Sequence, residues 1–116
     1  MKNNVILEKS YALALIIIPV CLNLQREQRE YVLSRQLMRA GTSIGANVEE
    51  AQAAQSRPDF LNKMCIAAKE ARETHYWLRL VRDSKLLSAK QLAATLSLAT
   101  EVKRILTSIV KSTGEA

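Results

Sequence analysis

The side chains able to do chemistry fall on two regular stripes. Arg39, Ser43 and Asn47 recur every four residues, and Lys63, Glu70, Glu73 and Trp77 follow at intervals of seven, three and four. Helical spacing of this kind gathers each set on one face. Two carboxylates three apart are half of a di-iron bundle site, but that chemistry also needs a Glu-x-x-His on partner helices, and no such tetrapeptide occurs. The only histidine, His75, has no clustered ligand partner, which makes it a structural or surface residue rather than a metal ligand. No Ser/His/Asp set and no HExxH is present. Gly41 and Gly45 sit four apart without a preceding strand, so a phosphate-cradling loop is poorly supported. An enzyme is therefore the least supported class, and no catalytic residue, cofactor or metal is expected.

The elements that must position these stripes are helices. The chain has 116 residues, read as a single domain over 1–116, with 48% apolar and 24% charged residues and only three glycines and two prolines. That length buries one core without metals or disulfides, and the composition is globular. Cys21 and Cys65 lack a CxxC or Cys/His neighbour; both fall on predicted buried faces and read as free core thiols in a reducing cytosol.

Four segments emerge. The first runs from about Asn4 to Leu24 and is apolar nearly all round, so it should be buried on more than one side. Its run Tyr11 to Leu24 is too short to span a bilayer; Glu8 sits where a signal peptide would want positive charge, and no A-x-A cleavage site follows the run directly. Pro19 should kink this helix or end its regular part. The second helix runs from about Glu27 or Arg29 to Gln55, with Val32 or Leu33, Gln36 or Leu37, Ala40, Ile44 and Val48 inward. Ser56-Arg57-Pro58-Asp59 breaks the chain and starts the third, which reaches about Ser84. Ser88 and Gln91 form a capping-box pair for the fourth, and the tail Ser112 to Ala116 should fray. Short links between four helices predict an all-α, antiparallel up-down-up-down four-helix bundle.

Antiparallel register across the turn at Ser56 places residues whose numbers sum to about 113 side by side. Arg39 then pairs with Glu70 or Glu73, and Ser43 and Asn47 add hydrogen bonds, because a partly buried carboxylate must be paired. The alternative is a solvated face with i,i+4 pairs such as Lys69 with Glu73. Trp77 reads as a core or interface anchor. Gly41 and Gly45 imply close approach, within the bundle or between subunits.

The net charge is +6. Lys69, Arg72, Arg79 and Arg82 lie roughly along one side of the third helix, Lys85 and Lys90 extend the charge across the turn, and Lys103, Arg104 and Lys111 add to it from the fourth. Such a face can track phosphates, although a solvated helix looks the same. At 4% aromatic residues, a base-stacking platform is unsupported.

The runs RQLMRAGTSIGANVEEAQAAQS and DFLNKMCIAAKEARETHYWLRL closely resemble the bacterial four-helix-bundle proteins encoded in intervening sequences of 23S ribosomal RNA genes. The accessory variability proteins of diversity-generating retroelements are more distant relatives. The matching residues are Arg39, Ser43, Asn47, Asp59, Lys63, Glu70, Glu73 and Trp77; NVEEA and Pro19 depart from the pattern. The resemblance implies a homopentameric ring or barrel, a cytoplasmic location and no known catalytic activity. Through the retroelement relatives it also implies RNA or DNA, and a reverse transcriptase or other protein, as partners. The expectation is a non-enzymatic oligomeric bundle that binds RNA or DNA through basic helix faces. A protein-binding scaffold with no nucleic-acid role is the alternative, and no membrane association is expected.

Overall fold

Four segments have enough apolar periodicity to bury a stripe and enough capping chemistry to stop, and each becomes a helix. The computed structural model describes residues 4–115: α1 Val5–Glu27, α2 Val32–Gln52, α3 Arg57–Asp83 and α4 Ala89–Glu115. Each helix packs on the next and α4 returns to α1, giving an up-down-up-down bundle with extents of 45 × 21 × 20 Å.

The ends are set locally. Asn4 accepts from the Leu7 N–H at 3.4 Å and starts α1. Glu30 caps α2, its carboxylate accepting from the N–H groups of Val32, Leu33 and Ser34 at 3.1, 2.9 and 2.8 Å, which satisfies donors that a helix start otherwise leaves open. Ser56 accepts from the Asp59 N–H at 3.2 Å at the start of α3. The Ser88–Gln91 capping box is reciprocal, at 3.0 and 2.8 Å. Arg29 and Lys85 turn the chain with positive φ, 54° and 65°. This is why α2 begins at Val32 rather than near Arg29: α1 continues through Glu27, and the left-handed residue separates the two helices.

The core is a single cluster. Leu13, Ile17 and Leu24 from α1 meet Leu37, Ile44 and Val48 from α2; Met64, Leu78 and Val81 come from α3, and Leu92, Val102 and Leu106 from α4. Each such side chain contributes about 1.5–3 kcal/mol when fully buried. Buried hydroxyls find backbone partners four residues back: Ser34 Oγ donates to the Glu30 carbonyl just ahead of α2, and Thr74 Oγ1 to the Glu70 carbonyl within α3, both at 2.8 Å. Gly41 lets α1 and α2 approach closely. A Cβ there would lie 2.9 Å from both Cγ atoms of the buried Ile17, whereas at Gly45 the nearest atoms, on Ser10, stand at 3.5 Å.

Several sequence expectations change. Cys21 is buried but Cys65 is exposed, because Met64, Ala67 and Ala68 occupy the inward arc of that turn. α2 stops at Gln52 rather than Gln55. The tail is helical through Glu115, where Thr113 is half-buried and Arg57 donates to its carbonyl at 2.9 Å. Ala116 lies outside the described residues. α1 passes through Pro19 unbroken.

α1 is also not covered on several sides. Tyr11, Leu15 and Ile18 are 63%, 55% and 38% exposed, since α2 and α4 between them cover only one arc of its surface. The helix that contains the apolar run has 23 residues, so by length and composition alone it suffices to cross a bilayer; only 28% of its apolar window is buried within the bundle.

Candidate functional site

On the α2–α3 side the predicted stripes meet. Arg39 donates from Nη1 to Glu70 Oε1 at 3.1 Å and from Nη2 to Glu73 Oε2. The Trp77 indole N–H donates to the same Glu73 oxygen at 3.0 Å, fixing a half-buried ring against the core. Gln36 Oε1 accepts from Arg39 Nε and Nη2 at 3.3 and 3.2 Å. The sequence reading offered Gln36 only as a possible inward position and missed it as a partner of Arg39, the signal being its place one helical turn before Arg39. The Glu70 side chain is 13% exposed and that of Arg39 48%, so the cluster is a lid over the core edge with one face in water. A guanidinium held between two carboxylates fixes helix register.

Ser43 and Asn47 do not join this cluster. Asn47 Nδ2 donates to the Ser43 carbonyl at 2.9 Å and to its hydroxyl at 3.3 Å, so their bonds close within α2. Lys63 reaches across to Glu50 at 2.8 Å, and that carboxylate holds the lysine above its usual pKa. Lys69 forms no ion pair with Glu73 among the described residues. Nor do the described residues contain any group of three or more His, Cys, Asp or Glu able to hold a metal ion.

The basic residues gather on the other side of α3. Along its seam with α4, a cavity of about 560 Å³ is lined by His75, Arg82, Ser97, Thr100, Glu101 and Arg104, among others. A second, of about 430 Å³, shares Arg104 and is lined by Arg72, Lys103, Thr107, Ser108 and Lys111. The hydroxyls fall at helical spacing with Arg104 and Lys111, which is the signal that would have added them to the sequence reading. Lys85 and Arg82 line a further cavity at the α3–α4 turn, about 710 Å³ in volume. Arg79 lies beside this seam with its guanidinium 5.8 Å from the ring centre of the exposed Tyr76, and Lys69 and Lys90 are exposed away from these cavity walls.

Of the nine basic residues singled out along this face, only Arg82 has an ion-pair partner among the described residues, Asp83 at 2.8 Å. The one carboxylate on the walls of the two seam cavities, Glu101, is held by Lys9 of α1 at 3.0 Å. Loss of water and the positive charges of Lys103, Arg79 and Arg82 lower the pKa of His75.

The family model described as 23S rRNA-intervening sequence protein matches residues 2–108. Among solved structures, the chain is similar to a protein of unknown function from the S23 ribosomal protein family of Bacteroides thetaiotaomicron VPI-5482. The two are 44% identical with a TM-score of 0.88, over 91% of this chain and 98% of that one. No curated protein matches the chain.

Proposed function

Because the chain belongs to the 23S rRNA-intervening sequence protein family, whose solved relative has no known function, its activity must be argued from its surface, and we propose that it is a non-enzymatic, self-associating helical bundle that binds RNA or DNA along the α3–α4 seam. The supporting observation is the run of cations there of which, among the described residues, only Arg82 has a carboxylate partner, Asp83. An acid one helix turn away would pair such cations within the protein. Here Lys103, Arg104 and Lys111 share open cavities with Arg72, Arg82 and hydroxyl donors, an arrangement suited to phosphate oxygens.

Self-association rests on the Tyr11, Leu15 and Ile18 stripe, a contiguous apolar surface that a lone bundle leaves in water. The same stripe favours the second reading, a protein-binding scaffold with no nucleic-acid role.

Titrating the protein into labelled RNA and DNA at increasing salt separates the two. Binding through four to six phosphates gives a slope of log affinity against log salt of about −3 to −5. No detectable binding at low salt overturns the nucleic-acid reading and leaves the scaffold. Light scattering tests assembly: a monomer at micromolar concentration overturns self-association, and five copies per particle is the result the family resemblance implies.

A further inference from the structure

His75 is the only histidine in the chain, and it lies where the charges of two helices converge. On its own helix it is faced by Arg79 and Arg82; from α4 come Lys103, Arg104 and Glu101, and from α1 Lys9 neutralises Glu101. The cavity it lines combines two guanidinium groups, Arg104 without an ion-pair partner among the described residues and Arg82 shared with Asp83, with the hydroxyls of Ser97 and Thr100. Planar guanidinium donors and rotatable hydroxyls suit the oxygens of a tetrahedral oxyanion. The neighbouring cavity repeats the pattern: Lys111 stands seven residues, about 10 Å, beyond Arg104 along α4. A ligand with one anionic group would use one cavity, and a strand with regularly spaced anions fits both.

Resting on the nucleic-acid reading above, we propose that the His75–Arg82–Arg104 cavity seats a phosphodiester group of the bound strand, with His75 as a proton-linked contact that tightens the grip as pH falls. In the free protein the loss of water and, after it, the surrounding cations disfavour the imidazolium. A phosphate seated among Arg82, Arg104 and His75 supplies the opposite charge, so the bound protein takes up a proton more readily than the free one. By linkage, affinity then rises as pH falls through the window where bound His75 is protonated and free His75 is neutral. Outside that window the affinity is independent of His75 titration.

The test uses the full chain and a labelled single-stranded oligonucleotide of about 20 nucleotides at constant ionic strength, between about pH 5.5 and 8. The expected result is an affinity gain approaching tenfold per pH unit within the window. His75→Gln has a flat pH profile, while Arg104→Gln lowers the salt slope by about one at every pH and keeps the pH dependence. NMR titration of the single histidine gives a readout without substitution, and its midpoint should rise when oligonucleotide is added. A pH profile retained by His75→Gln, or a histidine midpoint unmoved by saturating oligonucleotide, overturns the proposal while leaving nucleic-acid binding intact. Absence of oligonucleotide binding at low salt overturns both. Polyglutamate that binds as tightly, with the same pH profile, would assign the cavity to an acidic polypeptide and overturn the phosphodiester assignment.

Discussion

Replacing the two helix-interior glycines one at a time should shift stability in opposite directions, although the substitution is chemically identical. At Gly41 a new Cβ meets Cγ1 and Cγ2 of Ile17 at 2.9 Å and its Cβ at 3.3 Å. Ile17 is fully buried and β-branched, so it cannot swing aside without leaving its rotamer. Overpacking of this kind costs about 1–3 kcal/mol, and here the upper half of that range applies because two branch atoms are struck together. Removing a glycine from a helix returns about 1 kcal/mol. Gly41→Ala should therefore destabilise by about 1–2 kcal/mol. At Gly45 the nearest atoms, on Ser10, stand at 3.5 Å, ordinary contact, so Gly45→Ala should stabilise by about 0.5–1 kcal/mol. Urea unfolding followed by circular dichroism, at one protein concentration because assembly would couple to stability, measures both. Melting temperatures of the two variants should differ by about 6–10 °C. Shifts of the same sign, or a Gly41→Ala protein as stable as the parent, would refute the close-approach reasoning. Adding Ile17→Ala removes the struck atoms, so the double variant should lose less than the sum of its parts by about 1 kcal/mol.

Two further outcomes follow from the surface and the core. Arg39→Ala leaves the nearly covered Glu70 carboxylate beside Glu73 with no cation between them and should cost about 1–2 kcal/mol by denaturant unfolding, an unchanged midpoint showing that the cluster is solvated and indifferent. In the folded protein a thiol reagent should label Cys65 and spare Cys21, and labelling of two thiols per chain would contradict the buried placement. Burial raises the Cys21 thiol from 9.0 to about 12. A raised folded pKa leaves stability intact below the unfolded value and removes it above, so between pH 9.0 and about 12 the Cys21 contribution should fall with a slope approaching about 1.4 kcal/mol per pH unit. Cys21→Ala should flatten the unfolding profile across that window; equal slopes in parent and variant would refute it.

Much of the fold could be read directly because helices announce themselves locally. Caps at Ser56 and Ser88 need only neighbours three residues away. The Arg39 cluster was legible for a related reason: once two long helices are antiparallel about a short turn, equal rise per residue sets which side chains meet. Gln36 and the internal Ser43–Asn47 bond escaped that reasoning, since register locates a neighbour without saying whether a side chain turns to it or back to its own helix.

By itself, then, the sequence determined four helices, their breaks and the α2–α3 register, all consequences of periodicity and local hydrogen bonding. Only the tertiary structure decided which arc of each helix is covered. It exposed Cys65, left Tyr11, Leu15 and Ile18 of an all-round apolar helix in water, and set Arg82 and Arg104 with the solitary His75 around one cavity. Burial and charge convergence depend on where the other helices lie, and that is settled by the packing of the whole core.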